Sequence, residues 1–167
     1  MLEASPALRL TAPQPEALAR LAARHGAAIQ IASRGTLVSP ALMLAVIAVD
    51  SDGSANAGNL IGARSTGLPR TGVTRRVATP DPVDIERYLR ASVASLDWLL
   101  RRYDGDVILA LAAHNAGEGA VLRAGSVPAF GETRAYVPRV LAAWRAAIQL
   151  CRFPPVLPTD LCTLSDG

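Results

Sequence analysis

A single acid, Asp50, closes the apolar run Ala41 to Val49 and is followed by Ser51. A carboxyl among apolar neighbours is costly, so it asks for a task. Two later segments suggest one: Ala112-Ala113-His114-Asn115-Ala116-Gly117 and Glu132-Thr133-Arg134-Ala135-Tyr136-Val137. With Asp50 they suggest a sugar cleft with a single acidic catalyst. Cleaving a glycosidic bond needs an acid that keeps its proton near neutral pH and hands it to the leaving oxygen. Apolar surroundings disfavour a charged carboxyl, and the negative end of a helix dipole does the same. Asp50 therefore occupies a position where an acid is expected, in the manner of tuned glycosidase carboxyls. The plain alternative is an aspartate that ends a helix and points to solvent.

The elements that must position these residues read as helices. Alanine and leucine dominate and aromatic residues are only 4% of the chain, a composition that favours helix over sheet. Residues 1–14 read as an arm. Pro15 opens a helix with Leu18, Leu21 and Ala22 on one face, and Gly26 is expected to end it. Ala27 to Val38 is ambiguous, with Ile29 and Ile31 alternating as in a short strand. Ser39-Pro40 is a cap followed by proline, and the helix it starts, Pro40 to Asp50, is apolar nearly all round and so central. Residues 51–80 are rich in Gly, Ser, Asn, Thr and Arg and read as a long loop, expected to be mobile and to close over ligand. Asp81-Pro82 opens a long amphipathic helix through Tyr103, broken at Gly105. Asp106 to His114 and Thr133 to Leu150 are the last two helices, Pro138 being tolerated only in a first turn. The body is 15–150, and 151–167 is a proline-rich tail.

The order and spacing of the three segments resemble the soluble lytic transglycosylases, the SLT domain family. These cut peptidoglycan glycan strands and share their fold with goose-type lysozyme. The family carries Glu-Ser where this chain carries Asp50-Ser51, and Ala-Ala-Tyr-Asn-Ala-Gly where it carries 112–117, with His114 in the tyrosine position. The third segment matches the family almost letter for letter. The likeness runs from roughly Leu18 to Trp144 and is interrupted between them. The family's Gly-Leu-Met-Gln stretch has no full counterpart: Gly62-Ala63 and Gly67-Leu68 stand at its ends, and Pro69-Arg70-Thr71 replaces the rest. Asn59 stands near a substrate-binding serine of the family, and Tyr88 at an asparagine position.

The resemblance implies a mostly α, lysozyme-like single-domain globule. It implies non-hydrolytic cleavage of the MurNAc-GlcNAc β-1,4 bond to a 1,6-anhydro product. Asp50 would protonate the leaving oxygen and then take the proton of the sugar's own C6 hydroxyl. Ser51, Asn59, His114, Asn115, Glu132 and Tyr136 would bind substrate, and neither metal nor cofactor would be required. Aspartate in place of glutamate draws the acid back by one methylene, roughly 1.5 Å. A misplacement of about 1 Å can cost on the order of a hundredfold, so slow turnover is expected. A catalytically silent glycan-binding domain is the second reading. A helical scaffold in an envelope-spanning secretion or conjugation apparatus is the third.

The formal charge is +3 and every basic side chain is arginine, with no lysine. The arginines are spread along the chain, which speaks against a nucleic-acid module. The run Ala41 to Val49 is half what a membrane span needs, and Met1-Leu2-Glu3 does not open like a signal peptide. The expected setting, from the resemblance, is the bacterial periplasm or cell envelope, and the expected state a monomer. Cys151 and Cys162 could form a disulfide in an oxidising compartment or stand as two thiols; their spacing does not decide.

Overall fold

The structure, a computed structural model, describes residues 13–51 and 82–165. Most of the expected arm, the loop beyond Ser51, and Asn59 with it, lie outside the described residues. Among the described residues there are six α-helices: α1 (Pro15–Ser33), α2 (Pro40–Asp50), α3 (Pro82–Arg102), α4 (Val107–Ala116), α5 (Glu118–Ala124) and α6 (Gly131–Ala147). A 3-10 turn, Ile148–Leu150, follows α6.

Helix α2 is the axis of the molecule. Ser39 accepts the Leu42 amide at 3.1 Å and Pro40 sits in the first turn. Every residue from Pro40 to Val49 is buried. Full burial of a side chain the size of Leu42, Met43, Leu44 or Ile47 stabilises by about 1.5–3 kcal/mol. Helices α1 and α6 pack directly on it. Helix α3 presents Leu89, Val93, Leu96 and Leu100 to the core at three- and four-residue spacing.

Two expectations about α1 are corrected. The helix does not stop at Gly26 but runs to Ser33. A Cβ at Gly26 would meet the Leu164 side chain at 3.2 Å, so this glycine serves close packing rather than termination. The apparent strand alternation also dissolves: Ile29 is 0% exposed and Ile31 53%. Residues two apart lie on opposite sides of a helix as well as of a strand, so a short alternation fits both.

Gly105 breaks the chain after α3 as expected. Its amide bonds the Leu100 carbonyl at 2.7 Å with φ at 82°, a conformation glycine adopts freely. Asp106 then caps α4 through the Leu109 amide at 3.0 Å. Helix α4 runs two residues beyond His114, and α5, which the periodicity did not foretell, begins directly after Gly117. Helix α6 starts at Gly131, two residues before Thr133, and gives way to a 3-10 turn after Ala147. Pro138 lies inside α6, not in its first turn. Val137 and Val140 beside it are buried and α6 packs on α2, and this packing outweighs the hydrogen bond it forfeits.

Cys151 and Cys162 form a disulfide. Around it the Arg152 amide bonds the Thr163 carbonyl at 2.8 Å and the Ser165 amide bonds the Leu150 carbonyl at 2.9 Å. Leu164 is buried in the core, and its amide bonds Gln30 of α1 at 3.2 Å. Inside the closed loop, the Pro158 carbonyl accepts the Ser39 hydroxyl at 2.7 Å. The segment after α6 is thus fastened to the start of α2.

Candidate active site

Asp50 is the last residue of α2, where an apolar helix runs out of core. His114 lies in the last turn of α4, after the buried run Ala110–Ala113. The two helix ends bring His114 Nε2 to 3.7 Å from Asp50 Oδ2, with the side chains 13% and 16% exposed. Tyr136 comes from α6, whose first turns pack on α2 and α4. Its ring stacks on His114 with centroids 6.3 Å apart and planes 26° apart.

The Tyr136 hydroxyl is buried and makes no hydrogen bond of good geometry among the described residues. It nonetheless lies within reach of the Asp50 carboxyl. Burial, and then the charge of Asp50, hold its phenol well above the usual 10.0, with Arg139 acting the other way. Tyr88 of α3 lies close enough to feel the charge of Asp50. Burial and the Asp50 charge raise its phenol too, while a hydrogen bond with Ser92 acts in the opposite sense. Both phenols therefore stay protonated across the neutral range and act as neutral donors beside the carboxyl.

Asn115 is placed differently from its neighbour. Its Oδ1 accepts the Thr133 hydroxyl at 2.8 Å, and Thr133 is only 1% exposed. This bond locks the end of α4 to the first turn of α6 and leaves the Asn115 amide NH₂ as its remaining donor group. It also gives Thr133 a partner other than its own helix, whose N-terminus has no side-chain cap. Gly117 has a φ of 90° and a ψ of 144°, a positive-φ conformation that favours glycine between α4 and α5.

The remaining expected site residues sit as follows. Ser51 is buried and donates its hydroxyl to the Ile47 carbonyl at 2.7 Å, so it can only accept from a sugar. Glu132 is exposed in the first turn of α6, next to Thr133. Asn59 lies outside the described residues. Tyr88 was legible only as a family departure on the apolar stripe of α3. Its position beside Asp50 depends on how α3 packs and not on any local signal.

A cavity of about 590 Å³ lies elsewhere, between the end of α1 and the disulfide loop, bordered by Arg34, Thr36, Ser39, Asp160 and Leu161. None of the residues gathered at Asp50 lines it.

An acid at a helix end, flanked by an imidazole and two neutral phenols, is equipped to protonate a glycosidic oxygen and hold sugar hydroxyls. The transglycosylase SLT domain model matches residues 27–137, which include Asp50, His114, Asn115, Glu132 and Tyr136. That is more than half of the chain, and the chain belongs to this family of lytic transglycosylase-like domains, whose substrate is peptidoglycan glycan. The helical body, without a strand among the described residues, is the lysozyme-like fold of the family. No solved structure matches the chain.

Proposed function

We propose that this domain cleaves peptidoglycan strands at the MurNAc-GlcNAc β-1,4 bond and leaves a 1,6-anhydro end. The observation that carries the reading is the convergence of Asp50, His114, Tyr136 and Tyr88 from four helices onto one point. Asp50 protonates the leaving oxygen. The bond from the sugar C1 to that oxygen breaks, with its electron pair going to the oxygen. The C6 hydroxyl of the same sugar closes on C1 and returns its proton to Asp50. Substrate supplies its own nucleophile, so one carboxyl serves as acid and then base.

Asn115 and Tyr136 orient the sugar, with Ser51, Asn59, His114 and Glu132 as further binding positions. The chain works as a monomer in the cell envelope or periplasm, without metal or cofactor. The disulfide Cys151–Cys162 supports an oxidising compartment, and among the described residues no helix is long and apolar enough to cross a membrane. A secretion or conjugation apparatus of the envelope is the partner such a domain would serve.

The short Asp50 side chain favours a second reading, glycan binding without cleavage. Mass analysis of purified peptidoglycan after incubation separates the two. Anhydro-muropeptides support cleavage, reducing ends mean hydrolysis instead, and unchanged sacculi that retain the protein mean binding alone.

A further inference from the structure

We propose that the cavity between the end of α1 and the disulfide loop is a second binding site, which takes an uncross-linked peptide stem of peptidoglycan. The inference rests on peptidoglycan as the substrate and not on how Asp50 acts. The cavity's 590 Å³ lies within the range of about 300–1,000 Å³ that small-ligand sites occupy. Ser39 and Pro40, at the start of α2, line it, whereas Asp50 ends that helix. The steps from Pro40 to Asp50, at about 1.5 Å each, set the two places roughly 15 Å apart along α2.

Two buried residues at this cavity carry polar groups without partners. Ser33 is 7% exposed and borders the cavity. Its carbonyl accepts both the amide and the hydroxyl of Thr36, but its own hydroxyl makes no hydrogen bond. Cys162 is buried too, and among the described residues neither its amide nor its carbonyl is bonded. Residues 161–165 alternate exposed and buried, as an extended edge does. In such a chain, residues two apart turn their backbone groups to the same side. The Leu164 amide on that side bonds Gln30 of α1 at 3.2 Å, so the Cys162 groups face the same gap between tail and helix. Polar groups left unpaired in a buried place are costly, and an occupant that bonds them removes the penalty.

A free backbone edge is matched by the backbone of an extended peptide. The borders suit one of small apolar and charged residues. Ile31 and Leu161, both exposed, supply apolar wall. Arg34, also exposed, offers a guanidinium to a carboxylate. Asp160 accepts the Val156 and Leu157 amides on Oδ2 at 3.1 and 2.7 Å, which leaves Oδ1 for a cation. A peptidoglycan stem brings methyl side chains, free carboxylates and the amine of its diamino acid, and each meets a counterpart here. A stem cross-linked through that amine has lost the charge that Asp160 would meet. The site therefore selects stems that are not yet joined, and holds the domain to the wall by a handle other than the glycan.

Nitrogen–proton NMR of the full chain, titrated with a synthetic stem tetrapeptide whose diamino-acid amine is free, tests the site. The amides of Ser33, Arg34, Cys162 and Thr163 should shift, and Asp50→Asn should leave those shifts unchanged. Chitin oligomers, which carry no peptide, should not move them. Arg34→Ala should weaken tetrapeptide binding about tenfold or more, and acetylating the peptide's amine should weaken it as much without altering the protein. No shift at these amides overturns the site. Equal affinity for the acetylated tetrapeptide, or for a peptide of ordinary L-residues with the same charges, overturns its assignment to uncross-linked stems. Either result leaves the cleavage reading standing, and that reading fails instead on digests without anhydro products.

Discussion

Restoring one methylene at position 50 is the sharpest change a single residue offers. If Asp50 is the acid, Asp50→Glu should raise release of anhydro-muropeptides by up to about a hundredfold, and Asp50→Asn should abolish it. Mass-resolved digests read both, and full activity in Asp50→Asn would falsify the assignment. Asn115 carries two duties that one variant confounds and two separate. Asn115→Ala should weaken binding to chitin oligomers, seen by calorimetry. It should also cost about 1–3 kcal/mol in denaturant unfolding, because the buried Thr133 hydroxyl loses its acceptor. Adding Thr133→Val should recover much of the stability and none of the binding. Recovery of both would make Asn115 a purely structural residue.

At the level of elements, α2 was legible because every signal in it agrees: Ser39 capping, Pro40 in the first turn and an unbroken apolar run. The stripe of α3 and the break at Gly105 were legible for the same reason. What escaped depends on partners distant in the chain. Gly26 looks like a terminator until Leu164, far along the sequence, is seen packing against it. Pro138 looks misplaced until α6 is seen packed on α2 with Val137 and Val140 buried. The site divides likewise. Asp50, His114 and Tyr136 could be named from their segments, whereas Tyr88 joins them only through the packing of α3. The disulfide was undecidable from spacing, and its bracing of α2 depends on Ser39 meeting Pro158. Replacing Cys151 and Cys162 by serine should therefore cost about 2–4 kcal/mol in chemical unfolding. Ser39→Ala should cost about 1 kcal/mol through the lost cap. A disulfide-free variant as stable as the parent would mean the loop is held by its other bonds alone.

For the whole molecule, the buried Tyr136 and the half-buried Tyr88 tie stability to pH in one direction. Their folded values lie above the ordinary 10.0, so the folded state binds these protons more tightly than the unfolded chain. The stability they contribute is complete below about pH 10 and is lost as pH rises through their raised values. Urea midpoints measured across that alkaline range should fall, and Tyr136→Phe should make the fall shallower; an equally steep decline in the variant would place the effect elsewhere. The fastening of residues 151–164 onto α1 and α2 has a consequence for biosynthesis. The helix that carries Asp50 gains its brace from Pro158, and α1 gains Leu164, only after the ribosome has delivered residues made more than a hundred positions later. A nascent chain arrested at Leu150 would hold every described α-helix yet lack the clasp on α1 and α2, and an oxidant must still join the cysteines. Ribosome-bound chains of increasing length should stay protease-sensitive until residue 164 has emerged. Bracing of the helix that carries Asp50 is thereby deferred until these later residues have been made.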